Sequence, residues 1–477
     1  MQTFGRIAVS ALTLALAACQ SMRGPEPVTK TDVPMQYASN NQGTSIAAQG
    51  YKNFFSDARL IQVIDLALAN NRDMRTAILN IQEAQAQYQI TKKNQLPTFD
   101  GSAGLTRSST LSTSYQPTSV YSVGVGTTSY ELDFWGRVRS LKDAALDSYL
   151  ATQSARDATQ ISLISEVAEA WLTYSYSYAN LQLSQQTLAS QEQAYTLNKK
   201  RFDVGIDSEV PLRQAQISVE TARADVANYK TQVAQAQNAL NLLAGQTVPT
   251  DLLPKQTVKI ITEQKLLSSG LPSDLLQNRP DIQQAQYQLS AAGANIGAAK
   301  AKLFPTISLT SSAGYSSTEL SNLFKSGTFV WSFAPSLDLP IFDWGTRKAN
   351  IRVSEIEQKL YITSYEKTVQ TAFKEVSDVL ATRQNLDERL NAQRRLVEAT
   401  NRAYQLSTAR FRAGIDNYLT VLTSQQSFYT AQQTLLALEQ SNLNNQIELY
   451  QTLGGGVKTY TADQIQHQPS SQELRQQ

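Results

Sequence analysis

The sequence predicts a mainly helical protein with a smaller β part that lies in a membrane, built from two copies of one structural unit. Three observations predict this fold: an internal repeat, a pair of short alternating segments in each copy, and a long stretch without Gly or Pro after each pair. Because a repeated chain builds two similar structures, each element needs to be explained once.

The repeat is visible at three kinds of landmark. The paired residues, which lie 208 or 209 positions apart, are Pro97 and Pro305, Trp135 and Trp344, and Arg201 and Arg410. Both arginines begin the motif Arg-Phe-x-x-Gly-Ile-Asp. We therefore predict a first structural repeat over residues 58–245, a linker over 246–272 and a second repeat over 273–455.

The composition excludes several classes of function. The chain has 477 residues, a net charge of +2 and 17% charged residues, whereas a nucleic-acid-binding protein would show a basic stripe. Its single histidine, His467, lies in a polar tail over 456–477, and one histidine and one cysteine are too few for a zinc site. We predict no catalytic residue, no metal site, no cofactor and no nucleic-acid partner.

The N-terminus has the pattern of a targeting segment over residues 1–18. A positive charge precedes an apolar run that ends in Leu-Ala-Ala before Cys19, the one cysteine of the chain. This run resembles a bacterial lipoprotein signal, which implies cleavage before Cys19 and acylation of that residue, and Gln20 implies delivery to the outer membrane. The alternative is an ordinary signal peptide with an incidental cysteine. A leader over 19–57 follows.

The residue pattern of each copy predicts a helix followed by two strands. The first helix covers residues 57–94 and its counterpart covers 274–302, and each is stopped by a proline. Apolar and polar residues then alternate with the period of a strand. The four predicted strands cover about residues 98–106, 120–132, 305–316 and 328–339. Strands of this length can cross a bilayer at a tilt, and aromatic residues at their ends are typical of the membrane interface.

A very long helix follows each strand pair. Residues 137–202 contain no Gly or Pro and would span roughly 100 Å as one helix, and the counterpart covers 346–412. Apolar residues recur in both at a heptad-like spacing that favours coiled packing. Gly205 and Gly414 end these helices, because Gly readily adopts the left-handed C-cap conformation. The predicted return helices cover 209–244 and 418–453.

Four strands are too few to close a membrane barrel, so strands of several chains must combine. Two chains supply eight strands, too few for a water-filled bore, and three chains supply twelve. The alternative is a soluble protein whose four-stranded sheet packs on helices. The lipoprotein-like signal favours a sheet that lies in the membrane over this alternative.

The combined pattern resembles the outer-membrane factor family, the TolC/OprM-type channels, over about residues 57–455. The motifs that carry the resemblance are the two Arg-Phe-x-x-Gly-Ile-Asp turns, Asn-Arg-Pro-Asp-Ile at 278–282, Leu-Phe-Pro at 303–305 and Gly-Ile-Asp-Asn-Tyr-Leu-Thr at 414–420. A lipidated chain with this last turn is similar to the OprM-type branch, whose partners are resistance-nodulation-division pumps.

The resemblance implies a homotrimer with a 12-stranded β-barrel in the outer membrane and a 12-helix α-barrel that extends into the periplasm. A periplasmic adaptor protein and an inner-membrane resistance-nodulation-division pump would dock at the helix turns. The chain would then be a passive exit duct for drugs and small toxic compounds. Two alternatives stay open: a duct for secreted proteins or peptides, and a lipid-anchored coiled-coil tether that conducts nothing.

The helix turns hold the candidate site residues. Around a three-fold axis each side chain occurs three times, so that a charge forms a ring and an apolar residue can gate by dewetting. The candidate periplasmic gate residues are Asp416, Leu419, Thr420, Thr423, Asp207 and Glu209, and the adaptor-contact residues are Gly205 and Gly414. By resemblance, the acidic constriction residues of some family members fall at Thr420 and Thr423, which are uncharged.

The turn aspartates also have a simpler interpretation. Asp207 and Asp416 would then be the N-caps of the return helices, where a carboxylate accepts from free backbone amides. Arg201 and Arg410, near the helix C-termini, would favour the helix dipole. Alternatively, these arginines hold the turn closed through a carboxylate on a neighbouring helix.

Overall fold

The computed structural model describes residues 22–23, 44–45, 49–109, 117–263, 267–268 and 278–455. Its helices are α1 (Tyr51–Phe54), α2 (Ala58–Asn70), α3 (Arg72–Lys93), α4 (Arg137–Asp203), α5 (Glu209–Ala244), α6 (Pro280–Ala301), α7 (Thr346–Arg412) and α8 (Tyr418–Thr452). Its strands are β1 (Thr44–Ser45), β2 (Asp100–Ser108), β3 (Thr118–Glu131), β4 (Leu267–Ser268), β5 (Thr306–Ser317) and β6 (Phe329–Asp338). The prediction of a mainly helical chain with a four-stranded sheet is therefore confirmed.

The chain forms two compact units. The first comprises Met1–Lys30, Asn80–Gln153 and Gln284–Lys367, and it contains the sheet. The second comprises Thr31–Leu79, Ser154–Gln283 and Thr368–Gln477, and it contains both helix turns.

The sheet of the first unit is antiparallel, with the strand order β2-β3-β5-β6. Its strands begin within two residues of the predicted positions. Side chains alternate between the two faces, so the register decides which residues lie together. One face carries Leu105, Tyr121, Val123, Tyr315, Phe329 and Trp331, which are paired or follow one another at period two. The opposite face carries small polar pairs, among them Ser308 with Ser336 and Ser312 with Ser332, whose hydroxyls lie 2.7 and 2.8 Å apart.

The prediction of one helix over 57–94 is wrong at Asn71. Asn71 is extended, with φ −61° and ψ 139°, and it ends α2. Its Oδ1 accepts hydrogen bonds from the backbone amides of Asp73 (2.8 Å) and Met74 (3.0 Å), which are free amides at the start of α3. A side chain that satisfies these amides favours a new helix start over continuation.

The long helices α4 and α7 have 67 residues each. None of the helices within the described ranges combines the length and the apolar character needed to cross a membrane. In the second unit, the described part of the predicted linker covers aromatic residues of α4. Trp171 is fully buried and donates from Nε1 to the carbonyl of Leu252 (3.0 Å), and the Tyr176 hydroxyl donates to the carbonyl of Val258 (2.9 Å). The linker is therefore a packed segment as far as residue 263.

Several predictions fall on residues outside the described ranges. These are the signal at 1–18, Cys19, most of the leader, the helix start at 274 and the tail at 456–477. The described helix of the second copy begins at Pro280, a residue type that suits the first helical position because it has no amide to satisfy.

Candidate functional site

The first helix turn joins α4 to α5 at Gly205. Gly205 has φ +75°, its amide donates to the carbonyl of Phe202 (2.9 Å), and the amide of Ile206 donates to the carbonyl of Arg201 (2.9 Å). These two bonds form a Schellman motif, which satisfies carbonyls at the helix end and requires the left-handed conformation. Arg201 Nε then reaches Asp207 Oδ2 at 2.5 Å, so the turn is closed by an ion pair.

The second turn repeats this arrangement at Gly414. Its φ is also +75°, and its amide and that of Ile415 donate to the carbonyls of Phe411 and Arg410, both at 3.0 Å. Arg410 contacts Asp416 twice, with Nε at 2.6 Å from Oδ2 and Nη2 at 3.1 Å from Oδ1. These hydrogen bonds hold the pKa of the Asp416 carboxyl below its ordinary value of 3.8.

Neither turn aspartate is an N-cap, so the capping interpretation is wrong. The N-cap of α5 is Ser208, and that of α8 is Asn417, whose Oδ1 accepts from the Thr420 amide at 3.1 Å. Asp207 and Asp416 each precede the cap by one residue and bind the arginine of their own turn. The arginines do close the turns through a carboxylate, but in the described chain that carboxylate belongs to the aspartate of the same turn and not to a neighbouring helix.

The other candidate gate residues surround the turns. Thr420 Oγ1 lies 3.1 Å from Asn417 Oδ1, and Thr423 Oγ1 donates to the Leu419 carbonyl (2.9 Å), so both hydroxyls have partners near them in the chain. Glu209 pairs with Arg213 on its own helix at 2.7 Å, which compensates its charge. Leu419 is 50% exposed and is the candidate with an apolar surface to offer.

The two turns differ in how their aromatic residue is covered. The Arg201 guanidinium lies 5.2 Å from the centre of the Phe411 ring, within the range of a cation–π contact. Phe411 is 6% exposed and packs with Ala215, Tyr418 and Val421. Its counterpart in the first copy, Phe202, is 40% exposed. This contact joins residues 210 positions apart, and no local sequence pattern indicates it.

A cavity of about 350 Å³ with both polar and apolar lining lies between the hairpins of the two copies. The Tyr429 hydroxyl donates to Asp225 Oδ2 (3.3 Å), and Gln433 Nε2 donates to the Tyr229 hydroxyl (2.8 Å). Burial raises the pKa of Tyr429 and that of Tyr229. Sequence reasoning missed this set, because the members of each pair lie on different copies of the repeat.

The turns also expose several apolar side chains, of which the sequence analysis named Leu419 as a candidate. Each of them is at least half exposed, and they are Val204, Ile206 and Val210 in the first turn and Ile415 and Leu419 in the second. A Cβ placed on Gly205 or Gly414 would meet no atom within 4 Å. Each turn therefore presents an open and partly apolar surface, which is typical of a contact site.

The described residues nearest to Cys19 are fixed in the first unit. Arg23 Nη2 donates to Asp147 Oδ2 (3.3 Å) and to the Ser290 carbonyl (3.0 Å), and the Asp147 side chain is 1% exposed. A Cβ on Gly297 would lie 3.0 Å from the Arg23 amide nitrogen, so this glycine makes room for the N-terminal segment. Arg23, four residues after the predicted lipidation residue, is thus held by an ion pair with a buried carboxylate.

Comparison with known proteins identifies the family. The family model described as outer membrane efflux protein matches residues 63–246 and 271–455. The antibiotic efflux pump outer membrane protein ArpC of Pseudomonas putida is 42% identical over 426 residues, which are 88% of this chain and 88% of that protein. The cation efflux system protein CusC of Escherichia coli K12 is 38% identical over 458 residues, which are 93% of this chain and 98% of that protein.

A solved structure agrees with these relatives. The open state of the MtrE outer membrane channel of Neisseria gonorrhoeae superposes with a TM-score of 0.85 at 39% identity, and the match covers 92% of this chain and 99% of that one. The resemblance read from the sequence motifs is therefore confirmed, and the chain belongs to the outer membrane efflux protein family.

Proposed function

We propose that the chain is the outer-membrane channel of a tripartite multidrug efflux system, a passive exit duct that is gated at its periplasmic end. The family and the efflux proteins to which the chain is similar support this function over secretion of proteins or peptides. ArpC is named for antibiotics and CusC for cations, so the relatives span more than one substrate class.

The two-faced sheet is the observation that carries the proposal. Large apolar and aromatic side chains occupy one face, and Trp331 on it is 72% exposed. Serine and glycine pairs occupy the other face. A sheet in a bilayer needs an apolar face toward lipid and tolerates a polar face toward a water-filled lumen. A non-conducting tether would need no such sheet.

The sheet edges support the homotrimer. Within the described residues, β2 and β6 each pair with one strand, so each leaves one edge open. In lipid, an open edge leaves amides and carbonyls unsatisfied, at a cost of several kcal/mol for each group. When three chains join β6 to β2 of the next copy, the edges disappear and a barrel of twelve strands results.

The helix turns support the gate and the partners. The Arg201–Asp207 and Arg410–Asp416 pairs fix the shape of each turn, and Leu419 offers an apolar group that would occur three times around the axis. A periplasmic adaptor protein would bind the open surfaces around Gly205 and Gly414. The inner-membrane resistance-nodulation-division pump would supply the energy, and acylated Cys19 would anchor the chain in outer-membrane lipid.

Complementation tests the function directly. A strain that lacks this chain should accumulate a fluorescent drug, and the wild-type gene should restore efflux while export of secreted proteins stays unchanged. A metal-cation salt is added to the substrate panel, because CusC is named a cation efflux protein. Loss of protein export with normal drug efflux would instead support the secretion duct. Absence of any conductance in planar bilayers, even after substitution at the turns, would support the tether.

A further inference from the structure

We propose that Trp344 docks on a second copy of this chain, where its ring covers Leu96 and its indole Nε1 donates to the carbonyl of Pro97. This contact repeats between copies the one that Trp135 makes inside the chain. The inference rests on the proposed homotrimer and adds to it a defined contact and a defined strand register.

Trp135 provides the template. It follows β3, and its ring stacks on Phe304 with the ring centres 4.6 Å apart and the planes at 23°. Its Nε1 donates to the carbonyl of Pro305 at 2.8 Å. Phe304 and Pro305 directly precede β5, the strand that pairs with β3. The tryptophan that follows one strand thus packs on the residues that directly precede the neighbouring strand.

The repeat provides both halves of a second such contact. Trp344 corresponds to Trp135 and follows β6, while Leu96 and Pro97 correspond to Phe304 and Pro305 and precede β2. These counterparts are exposed in the single chain: Trp344 is 89% exposed and Leu96 is 66% exposed. The Trp344 ring packs edge-on against Phe342, which is itself 72% exposed. A tryptophan this exposed leaves a large apolar surface and an indole N–H available to a partner.

The strand edges bring the two halves together. β6 and β2 are the edge strands of the sheet, Trp344 lies at the end of one, and Pro97 lies at the start of the other. Pairing of β6 with β2 of the next copy, as β3 pairs with β5, therefore places Trp344 beside Pro97. Within one chain, β2 and β6 are separated by the two strands between them, so the occupant has to be another copy.

The same correspondence fixes the register between copies. β3 has a one-residue irregularity between Thr127 and Tyr130 in its pairing with β5, whereas β6 pairs with β5 without interruption. Residues of β3 before this irregularity correspond to residues of β6 that lie 210 positions later in the chain. The two hairpins show this, because Ser102 pairs with Gly124 in the first copy, and their counterparts Thr310 and Ala334 pair in the second. Ser122 of β3 pairs with Ser316 of β5 within the chain. Their counterparts are Ser332 of β6 and Ser108 of β2, so we predict that Ser332 pairs with Ser108 of the neighbouring copy.

Site-specific photocrosslinking tests the contact in the full-length protein in membranes. p-Benzoyl-phenylalanine at position 344 should give dimers and trimers on denaturing gels, with the crosslink on the tryptic peptide 94–107 of another copy. The matched control places the same probe at position 135. It should react within its own chain, on the peptide 303–325, and leave the band monomeric.

Cysteine crosslinking separates this inference from the proposed assembly. Opposed residues on neighbouring strands have Cα atoms about 4.5–5.5 Å apart, which suits a disulfide. The double variant Ser332→Cys with Ser108→Cys should give a trimer ladder on oxidation, whereas Ser332→Cys with Ser102→Cys, six residues out of register, should not. A ladder without the position-344 crosslink would overturn the Trp344 contact while the trimer stands. A ladder in the out-of-register variant would overturn the register. A monomer in both experiments would overturn the proposed function as well.

Discussion

Arg410 and Asp416 form a two-contact ion pair that closes the turn between α7 and α8, with distances of 2.6 and 3.1 Å. The left-handed conformation of Gly414, which lies between them, allows the chain to reverse so that the two side chains meet. Arg201 and Asp207 have the same spacing around Gly205 in the first copy. The Arg-Phe-x-x-Gly-Ile-Asp motif, which reveals the repeat in the sequence, therefore closes each helix turn through an ion pair.

The variant Asp416→Asn should loosen the second turn at neutral pH. It removes the charge that accepts both hydrogen bonds from Arg410, so the amides of Ile415 and Asp416 should exchange with deuterium faster than in the wild type. Mass-spectrometric hydrogen exchange at pH 7 measures this rate. Asp207→Asn is the matched control, and it should speed exchange in the first turn alone. Unchanged exchange in both variants would contradict the role of the pairs.

Acidification should loosen the same turn only at low pH. Because Arg410 lowers the folded-state pKa of Asp416, the pair stabilises the turn above the unfolded-state pKa near 3.8 and is lost as the pH falls through the lower folded-state value. Single-channel conductance attributable to this turn should therefore stay constant between pH 7 and pH 5. A change of conductance in that range that Asp416→Asn abolishes would contradict this expectation.

Local patterns in the sequence predicted the turns well, and distant contacts were missed. Gly205 and Gly414 were located because a left-handed C-cap has a residue preference that shows in the sequence. The cap residues were misplaced by one, because Asp207 and Ser208, like Asp416 and Asn417, are all good N-cap types. The break at Asn71 was missed because the apolar spacing continues across it. The contact of Arg201 with Phe411, and the cover of Trp171 by the linker, depend on packing between segments far apart in the chain.

Two glycines with similar backbone angles should respond differently to alanine. Gly205 and Gly245 have φ of +75° and +69°, so each substitution costs about 1–2 kcal/mol in backbone strain. A Cβ on Gly205 meets open space, whereas one on Gly245 would collide with the carbonyl of Asn70. Gly245→Ala should therefore cost about 1–3 kcal/mol more, as overpacking does. Thermal unfolding of the two variants measures the difference, and equal midpoints would contradict it.

Removal of Arg23 should destabilise the first unit. Loss of one partner of a buried ion pair costs about 3–5 kcal/mol of stability. The cost of Arg23→Ala should lie near the lower value, because Ser290 Oγ still donates a hydrogen bond to Asp147 (2.6 Å). Thermal unfolding of the variant and of the wild type measures this loss. The double variant Arg23→Ala with Asp147→Asn should recover stability, because the buried carboxylate is gone. Equal stability of the single and double variants would contradict a stabilising role of the Arg23–Asp147 pair.

Glu169 should make the second unit less stable at neutral pH than at mildly acidic pH. Burial raises its pKa, and the charges of Glu448 and Glu166 raise it further. The folded state therefore binds a proton more tightly than the unfolded state, so the free energy of unfolding rises as the pH falls from 7 through the raised folded-state pKa. Glu169→Gln should stabilise the protein at pH 7 and reduce this pH dependence. Lower stability of the variant at pH 7 would contradict the prediction.

Leu419 should control conductance through its apolar surface. A ring of apolar side chains at a constriction excludes water, and a polar side chain of similar or smaller size lets the constriction hydrate. Leu419→Ser should therefore raise the single-channel conductance of the purified protein in planar bilayers. Val210, 61% exposed at the corresponding position of the first turn, provides the matched variant Val210→Ser. A constriction formed by Leu419 predicts that its substitution has the larger effect of the two. Equal effects would assign the gate to both turns, and no effect of either would place the constriction elsewhere.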